Sequence, residues 1–319
     1  MAVYTDLSDE DVEALLADFD LGAALSLKGI AEGVENTNFL LHTERGRFIL
    51  TIYEKRVNPD DLPFFMQLME TLADKGIPSP RPMHGKDGKP LRRIKNKLSA
   101  LVTFLDGVSP KKPSANQCRA LGAAMGQMHV ALADFPLQRA NSLGAASWPK
   151  LFEGRHAAAE NLKAGEGDRV AADLQFLSAN WPASLPHGVI HADLFPDNAL
   201  FLGDRIGGII DFYFACTDAL AYDLAISLNA WCFEPSGEYN LTKGQAMIAG
   251  YESVRPLSAE ERKMLPILAR GAAMRFFLTR LVDWDSTPAG ALVRPKNPGE
   301  YAAKLAFHRA AAGPGDYGA

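Results

Sequence analysis

Apolar residues near the start of the chain recur at helical spacing. Val12, Leu15, Leu16 and Phe19 share one face, and Ser8 with Asp11 supplies the capping pair that opens such a helix. Between residues 25 and 53 the pattern becomes strand-like. LSLKGIAEGVENTNFLLHT leads into a polar turn at Glu44–Gly46 and then into FILTIY, which predicts a hairpin. Helical spacing returns from Asp60 with Leu62, Phe65, Met66, Met69 and Leu72; Gly76 ends it, and Pro78 and Pro80 keep it ended. LSALVTFLDG, residues 98–107, reads as a buried strand running into a turn. Beyond it the chain is mainly helical. Ser114 caps a long helix to about Asp134, and Ser258 with Glu261 caps another. Strands are expected at Val189–Ile190, around Asn198–Leu202 and at Ile206–Ile210, the last two joined by Gly203-Asp204-Arg205. The pattern predicts an α+β fold in two lobes: a small sheet-rich N-terminal lobe over 1–105, a hinge near Asp106-Gly107, and a larger, mainly helical lobe over 106–319.

Composition narrows the function classes. The 319 residues are 47% hydrophobic and 22% charged, enough apolar material for a sizeable core. A net charge of −5 argues against a nucleic-acid partner, which would show as a basic stripe. Cys118, Cys216 and Cys232 lie in apolar surroundings and form no CxxC, so they read as buried thiols of a reducing compartment. The acidic start MAVYTDLSDEDVEALL is unlike a signal peptide, and no apolar run reaches membrane-spanning length. A cytoplasmic protein with no membrane partner is the expectation.

Candidate chemistry concentrates in VIHADLFPDNALFL, residues 189–202, where polar groups are set between short apolar runs. The spacing is His191-x-Asp193-x-x-x-x-Asn198, and the returning strand ends in Ile209-Ile210-Asp211-Phe212. An Asp, an Asn five residues on and a second Asp at the end of a returning hairpin is the arrangement used for phosphoryl transfer. The first Asp orients the attacking hydroxyl and accepts its proton. Asn198 and Asp211 are hard oxygen ligands of the kind that hold Mg²⁺ against nucleotide phosphates. Charge points the same way: residues 187–223 hold six Asp and a single Arg or Lys, an imbalance that a cation offsets. His191 and Asp223 read as structural, the latter as a buried acid bonding the loop backbone.

These segments carry a family resemblance. IHADLFPDNALF and GIIDFYFACTDALAYDLA resemble the catalytic segments of the aminoglycoside phosphotransferase and choline kinase superfamily, whose members share the bilobal protein-kinase-like fold. Within it, KGIAEGVENTNFLLHT, FILTIYEKR, DLPFFMQLMETLADKGIPSP, VTFLDGVSP and LNAWCFE are similar to the bacterial homoserine kinases of the phosphotransferase-like type. The resemblance implies MgATP-dependent phosphorylation of the L-homoserine hydroxyl in threonine biosynthesis, with ATP as co-substrate and Mg²⁺ as cofactor. It implies that Thr103 and Leu105 form the hinge facing adenine, and that Gly29–Asn38, with Gly33 and Asn38, covers the nucleotide. The chain departs from the superfamily at one ion pair. The strand position that bears Lys or Arg is Thr51, and its helical Glu partner is replaced near Phe65; Lys55 and Glu70 are the nearest substitutes.

The substrate class follows partly from the residues. Only a short interval, apolar and read as helical, separates Asp211 from Asp223, which leaves no long activation segment for a protein substrate. From Val254 onward ten Arg or Lys outnumber six acids, the opposite of what a polycationic aminoglycoside needs. An amino acid requires a cation for its carboxylate, which Arg275 or Arg280 would supply, although arginines five apart on a helix usually face solvent. Asp218, Asn229 and Trp231 are candidates to line the pocket. A kinase of choline-like or sugar-like alcohols, and a nucleotide-binding pseudokinase module, remain as alternatives.

Overall fold

The computed structural model describes residues 5–30, 36–54, 57–287 and 295–319. The chain forms two compact units: residues 1–107 with 207–213, and residues 108–206 with 214–319.

The smaller unit contains α1 (Asp9–Leu16), β1 (Ala24–Ile30), β2 (Thr37–Thr43), β3 (Gly46–Ile52), α2 (Leu62–Asp74), β4 (Leu91–Ile94) and β5 (Lys97–Thr103). The strands form one antiparallel sheet in the order β1-β2-β3-β5-β4. The period of two sends Phe48, Leu50 and Ile52 of β3 into a core shared with Val12, Leu15, Leu16 and Phe19 of the α1 region. Thr51, on the opposite face, is buried as well. Helix α1 opens on a reciprocal bond pair, Asp11 N–H to Ser8 and Ser8 N–H to Asp11. Helix α2 closes on Gly76 at φ +77°, with Ile77 N–H donating to Leu72 O and Gly76 N–H to Ala73 O. That is a Schellman cap, and glycine alone takes this φ without strain.

The larger unit contains α3 (Ala115–Ala131), α4 (Trp148–Phe152), α5 (His156–Leu162), α6 (Glu166–Asn180), β6 (His187–Ile190), β7 (Ala199–Leu202), the start of β8 (Arg205–Ile209), β9 (Cys216–Ala219), α7 (Leu220–Trp231), α8 (Leu241–Glu252), α9 (Ala259–Ser286) and α10 (Gly299–Ala310). Strands β6 and β9 pair antiparallel, Val189 opposite Thr217 and Ile190 opposite Cys216. The interval 211–223, read above as helical, is thus a short 3₁₀ turn and a strand, with helix only from Leu220. An apolar run this short fits a buried strand and a helix equally well. Helices α3 and α8 cross closely enough that a Cβ on Gly122 would sit 2.0 Å from Met247 O. Cys118, Cys216 and Cys232 are buried and unpaired. Among the described residues no helix is long and apolar enough to cross a membrane.

Candidate active site

In the larger unit the chemistry sits on the loop between β6 and β7. Ala192 takes a left-handed φ of +62°, a conformation a non-glycine residue keeps only when its neighbours enforce it. The enforcing groups are visible. Asp223, fully buried at the start of α7, accepts the N–H of His191 at 2.9 Å and of Ala192 at 2.8 Å. From α9 the buried Arg275 donates Nη1 to Ala192 O. The Ala192 residue is therefore held from both sides. Asp223 is itself supported by His129 Nε2 at 3.1 Å, and His129 Nδ1 by the Tyr251 hydroxyl at 2.8 Å. Arg255 bonds that hydroxyl at 3.0 Å and pairs with Glu261 at 2.8 Å. Burial acts to raise the Asp223 pKa, but the bond and charge of His129, the charge of His191 and its backbone N–H outweigh it and hold the carboxyl below the usual range.

Asp193 follows on this fixed backbone, and is partly exposed. Its N–H donates to His191 Nδ1 at 3.3 Å, and Phe195 N–H donates to its carbonyl at 2.8 Å. Asn198 Nδ2 donates to the same carbonyl at 2.8 Å and to Asp193 Oδ2 at 3.2 Å. With its amide nitrogen spent on Asp193, Asn198 has Oδ1 as the atom that could hold a cation.

The substrate candidates fare differently. Asn229 is fully committed: Nδ2 donates to Ala225 O and Ala269 O, Oδ1 accepts from His308, and its carbonyl accepts from Lys304. Trp231 is buried and gives its N–H to Leu194 O at 2.8 Å, supporting the loop from below. Arg275 is a loop support too. Arg280 is 8% exposed, pairs with Glu300 at 2.6 Å and lies over the Tyr301 ring. The expectation that arginines five apart face solvent is thus corrected: α9 is buried nearly all round, so its spacing does not mark an outer face. Asp218 is half-buried and accepts from Asn141 Nδ2 and Ala219 N–H, both at 2.7 Å. Sequence reading missed Glu300 and Tyr301. Tyr301 is buried, and its hydroxyl has no partner among the described residues.

In the smaller unit Asp211 is exposed and also left-handed, at φ +64°. Just before it, Ile209 N–H donates to Pro78 O at 2.7 Å. Just after it, Tyr213 sets its hydroxyl 3.0 Å from that of Tyr53. Burial first, then Tyr213 and the charge of Asp211, push the Tyr53 phenol well up; burial pushes Tyr213 up to about 12. Asn38 Oδ1 accepts the Thr51 hydroxyl at 2.8 Å. Thr103 exchanges bonds with Arg81, while Leu105 N–H makes no backbone bond among the described residues. Glu70, weighed above as a partner for Lys55, bonds His84. Gly33 and Lys55 lie outside the described residues.

The model of the phosphotransferase enzyme family matches residues 26–257. This chain belongs to that family. Two curated members set the comparison. A homoserine kinase of Xanthobacter autotrophicus is 57% identical over 318 residues, covering 100% of this chain and 99% of its own. A homoserine kinase of Hyphomonas neptunium is 57% identical over 328 residues, covering 100% of both. The solved structure of an amicoumacin kinase in complex with AMP-PNP and Ca²⁺ aligns over 95% of this chain and 92% of its own, with a TM-score of 0.70 at 17% identity. The fold is therefore the α+β protein-kinase-like fold. As a phosphotransferase this protein is an ATP-dependent kinase acting on a hydroxyl, which sets aside the pseudokinase alternative.

Proposed function

We propose that this phosphotransferase transfers the γ-phosphoryl group of ATP to the side-chain hydroxyl of L-homoserine, giving O-phospho-L-homoserine for threonine biosynthesis. The observation that carries this reading is the 57% identity with curated homoserine kinases from end to end of the chain. In it, residues 1–105 bind the nucleotide and residues 106–319 carry catalysis and substrate. The buried, unpaired thiols fit a cytoplasmic setting, where ATP is also at hand.

Asp193 is the catalytic base. It orients the homoserine hydroxyl and takes its proton as the hydroxyl oxygen bonds phosphorus and the bond from phosphorus to the ADP oxygen breaks. Asn198 fixes the carboxylate through Oδ2, so the acid waits in one orientation. Asn198 Oδ1 and the Asp211 carboxylate are hard oxygen donors, and we assign them to Mg²⁺, which when bound offsets the charge of the phosphates. The Leu105 N–H and the Thr103 carbonyl are the adenine contacts, and Gly33, Asn38 and Lys55 belong to the phosphate side. With Arg275, Asn229 and Trp231 engaged inside the unit, Asp218 and the Arg280–Glu300 pair are the groups left for the charged ends of the amino acid.

The test is a side-by-side assay of L-homoserine, L-serine, choline and kanamycin at saturating MgATP. Serine is one methylene shorter, and misplacement of its hydroxyl should lower kcat/KM about 10²-fold. Homoserine should exceed all three. ADP release with another of these alcohols but none with homoserine sinks the substrate assignment and favours a choline-like or sugar-like kinase.

A further inference from the structure

Helices α3 and α8 approach closely because glycines line their contact. A Cβ on Gly126 of α3 would sit 3.0 Å from Tyr251 O, and one on Gly250 of α8 would sit 2.0 Å from Arg119 O. His129 follows Gly122 and Gly126 at helical spacing, so it lies on the same face of α3. The close approach sets it edge-on against Tyr251, with 5.6 Å between ring centroids. Fully buried, the ring has a partner at each nitrogen. Nε2 lies 3.1 Å from Asp223 Oδ2, and Nδ1 lies 2.8 Å from the Tyr251 hydroxyl.

The direction of these bonds is set from the two ends of the chain. Arg255 can only donate, and it gives Nη1–H to the Tyr251 oxygen at 3.0 Å. Burial pushes the Tyr251 phenol up, against the charge of Arg255, so the hydroxyl keeps its proton and donates to His129 Nδ1. The Asp223 carboxylate can only accept, so Nε2 carries a proton and donates. Asp223 Oδ2 also accepts the His191 N–H at 2.9 Å, and Oδ1 accepts the Ala192 N–H at 2.8 Å. The last torsion of an aspartate is intrinsically broad. The His129 bond selects the rotation at which both oxygens face the loop. Ala192 keeps its φ of +62° only where its surroundings impose it, and Asp193 is the next residue. A carboxylate turned away from these N–H groups loosens the backbone from which Asp193 projects.

We infer that His129 is a positioning residue for the catalytic base: its Nε2–H, oriented by Tyr251 and Arg255, sets the Asp223 carboxylate against the loop backbone and so fixes where Asp193 points. It acts through Asp223 and the loop, not on the reacting atoms. The inference rests on Asp193 being that base.

Steady-state kinetics of His129→Gln and His129→Asn, each alone and combined with Asp193→Asn, test it. A glutamine amide reaches about as far as Nε2 and keeps an N–H on Asp223. An asparagine amide reaches only as far as Nδ1 and loses that bond. His129→Asn should lower kcat about 10- to 10²-fold, the scale of a misplaced reacting group, with the KM for MgATP kept within about twofold. His129→Gln should stay within about threefold of the parent, because it retains the donor. In Asp193→Asn, where no base remains to be aimed, His129→Asn should cost less than about twofold more. Three results overturn the inference: His129→Asn as fast as the parent, His129→Gln as slow as His129→Asn, or an equal loss in both backgrounds, which marks a role in folding alone. If Asp193→Asn itself keeps turnover within a few-fold of the parent, the base assignment fails and the inference with it. Should His129→Asn fail to fold, Tyr251→Phe, which unfastens Nδ1, takes its place in the same comparison. Its kcat should fall about two- to fivefold, the scale of one weakened hydrogen bond, and an unchanged kcat overturns the inference.

Discussion

The loop that bears Asp193 and the residue Tyr213 that follows Asp211 are held by different means. Each has a left-handed residue close by, Ala192 at φ +62° and Asp211 at φ +64°. In the larger unit the conformation is enforced by buried charge: Asp223 on the two N–H groups, Arg275 on the carbonyl, and a relay through His129, Tyr251, Arg255 and Glu261 behind them. In the smaller unit the contacts of Tyr213 are neutral: the rings of Tyr53 and Phe65 and the Tyr53 hydroxyl. The difference is energetic as well as chemical. Removing one partner of a buried ionic set strands a charge or an orphan N–H. Removing one hydroxyl of a neutral set forfeits a single hydrogen bond. The loop of the proposed base is thus held by buried charge, and Tyr213, two residues beyond the proposed metal ligand, by neutral contacts.

The largest effect expected is on turnover. Asp193→Asn should lower kcat by about 10²–10⁴, the usual scale for a positioned acid or base, with MgATP affinity nearly kept. Affinity should survive because the loop is held through the carbonyls and N–H groups of its backbone, which the substitution leaves in place. A coupled ADP assay checks it, and turnover within a few-fold of the parent removes Asp193 from the proton transfer. Next comes the ionic support. Asp223→Ala orphans the His191 and Ala192 N–H groups and the His129 ring in a dry site, and should cost about 3–5 kcal/mol in urea denaturation. A cost near that of a single hydrogen bond would erase the contrast between the two regions.

What the sequence disclosed was local. Ser8 with Asp11 and Ser258 with Glu261 were readable as capping boxes because both partners lie within one turn. The spacing from Asp193 to Asn198 was readable for the same reason, and the Asn198 amide does reach back to Asp193. Asp223 was readable as a buried acid bonding the loop backbone, and it does accept the His191 and Ala192 N–H groups, but the partners behind it were not readable. Asp223 meets His129 across 94 residues, and Tyr53 meets Tyr213 across 160, with no local signal for either. The burial of Arg275 and Arg280 was hidden because α9 is enclosed along most of its length, so its charges and apolar residues share faces. Strand β9 was hidden by brevity, since CTDA between apolar neighbours has no period to read.

The pH response separates the regions further. His308, buried in the larger unit, gives Nε2–H to Asn229 Oδ1 and receives the Tyr317 hydroxyl at Nδ1, which fixes it as the neutral ring. Burial first, then the charges of Lys304 and Arg270, lower its pKa to about 3 from an ordinary 6.5. Between those values the unfolded chain takes up a proton that the fold refuses, so stability falls as the pH drops below 6.5. From pH 7 to pH 5 the loss through this one residue should be about 2 kcal/mol. Asp223 acts lower: its carboxyl is held below 3.8, so its contribution persists above that value and is lost as pH falls beneath it. Denaturation curves at pH 7 and pH 5 for the parent and His308→Gln check the first claim. Equal slopes for the two proteins would assign the pH response to other groups.

The smallest effect should come from the neutral region. Thr51→Val keeps the branched shape on β3 and removes one hydroxyl. The side chain is buried, but its acceptor, Asn38 Oδ1, belongs to a residue only partly buried, so water can replace the lost donor. The cost should be about 1 kcal/mol, that of one hydrogen bond. The group it bonds, Asn38, has no charge to titrate. The difference between parent and Thr51→Val should therefore be the same at pH 5.5 and pH 8, whereas the His308→Gln difference changes over that interval. A Thr51→Val penalty that grows by more than the fitting error as the pH falls would show that the small unit's bracing is coupled to charge after all, and would break the comparison at its neutral end.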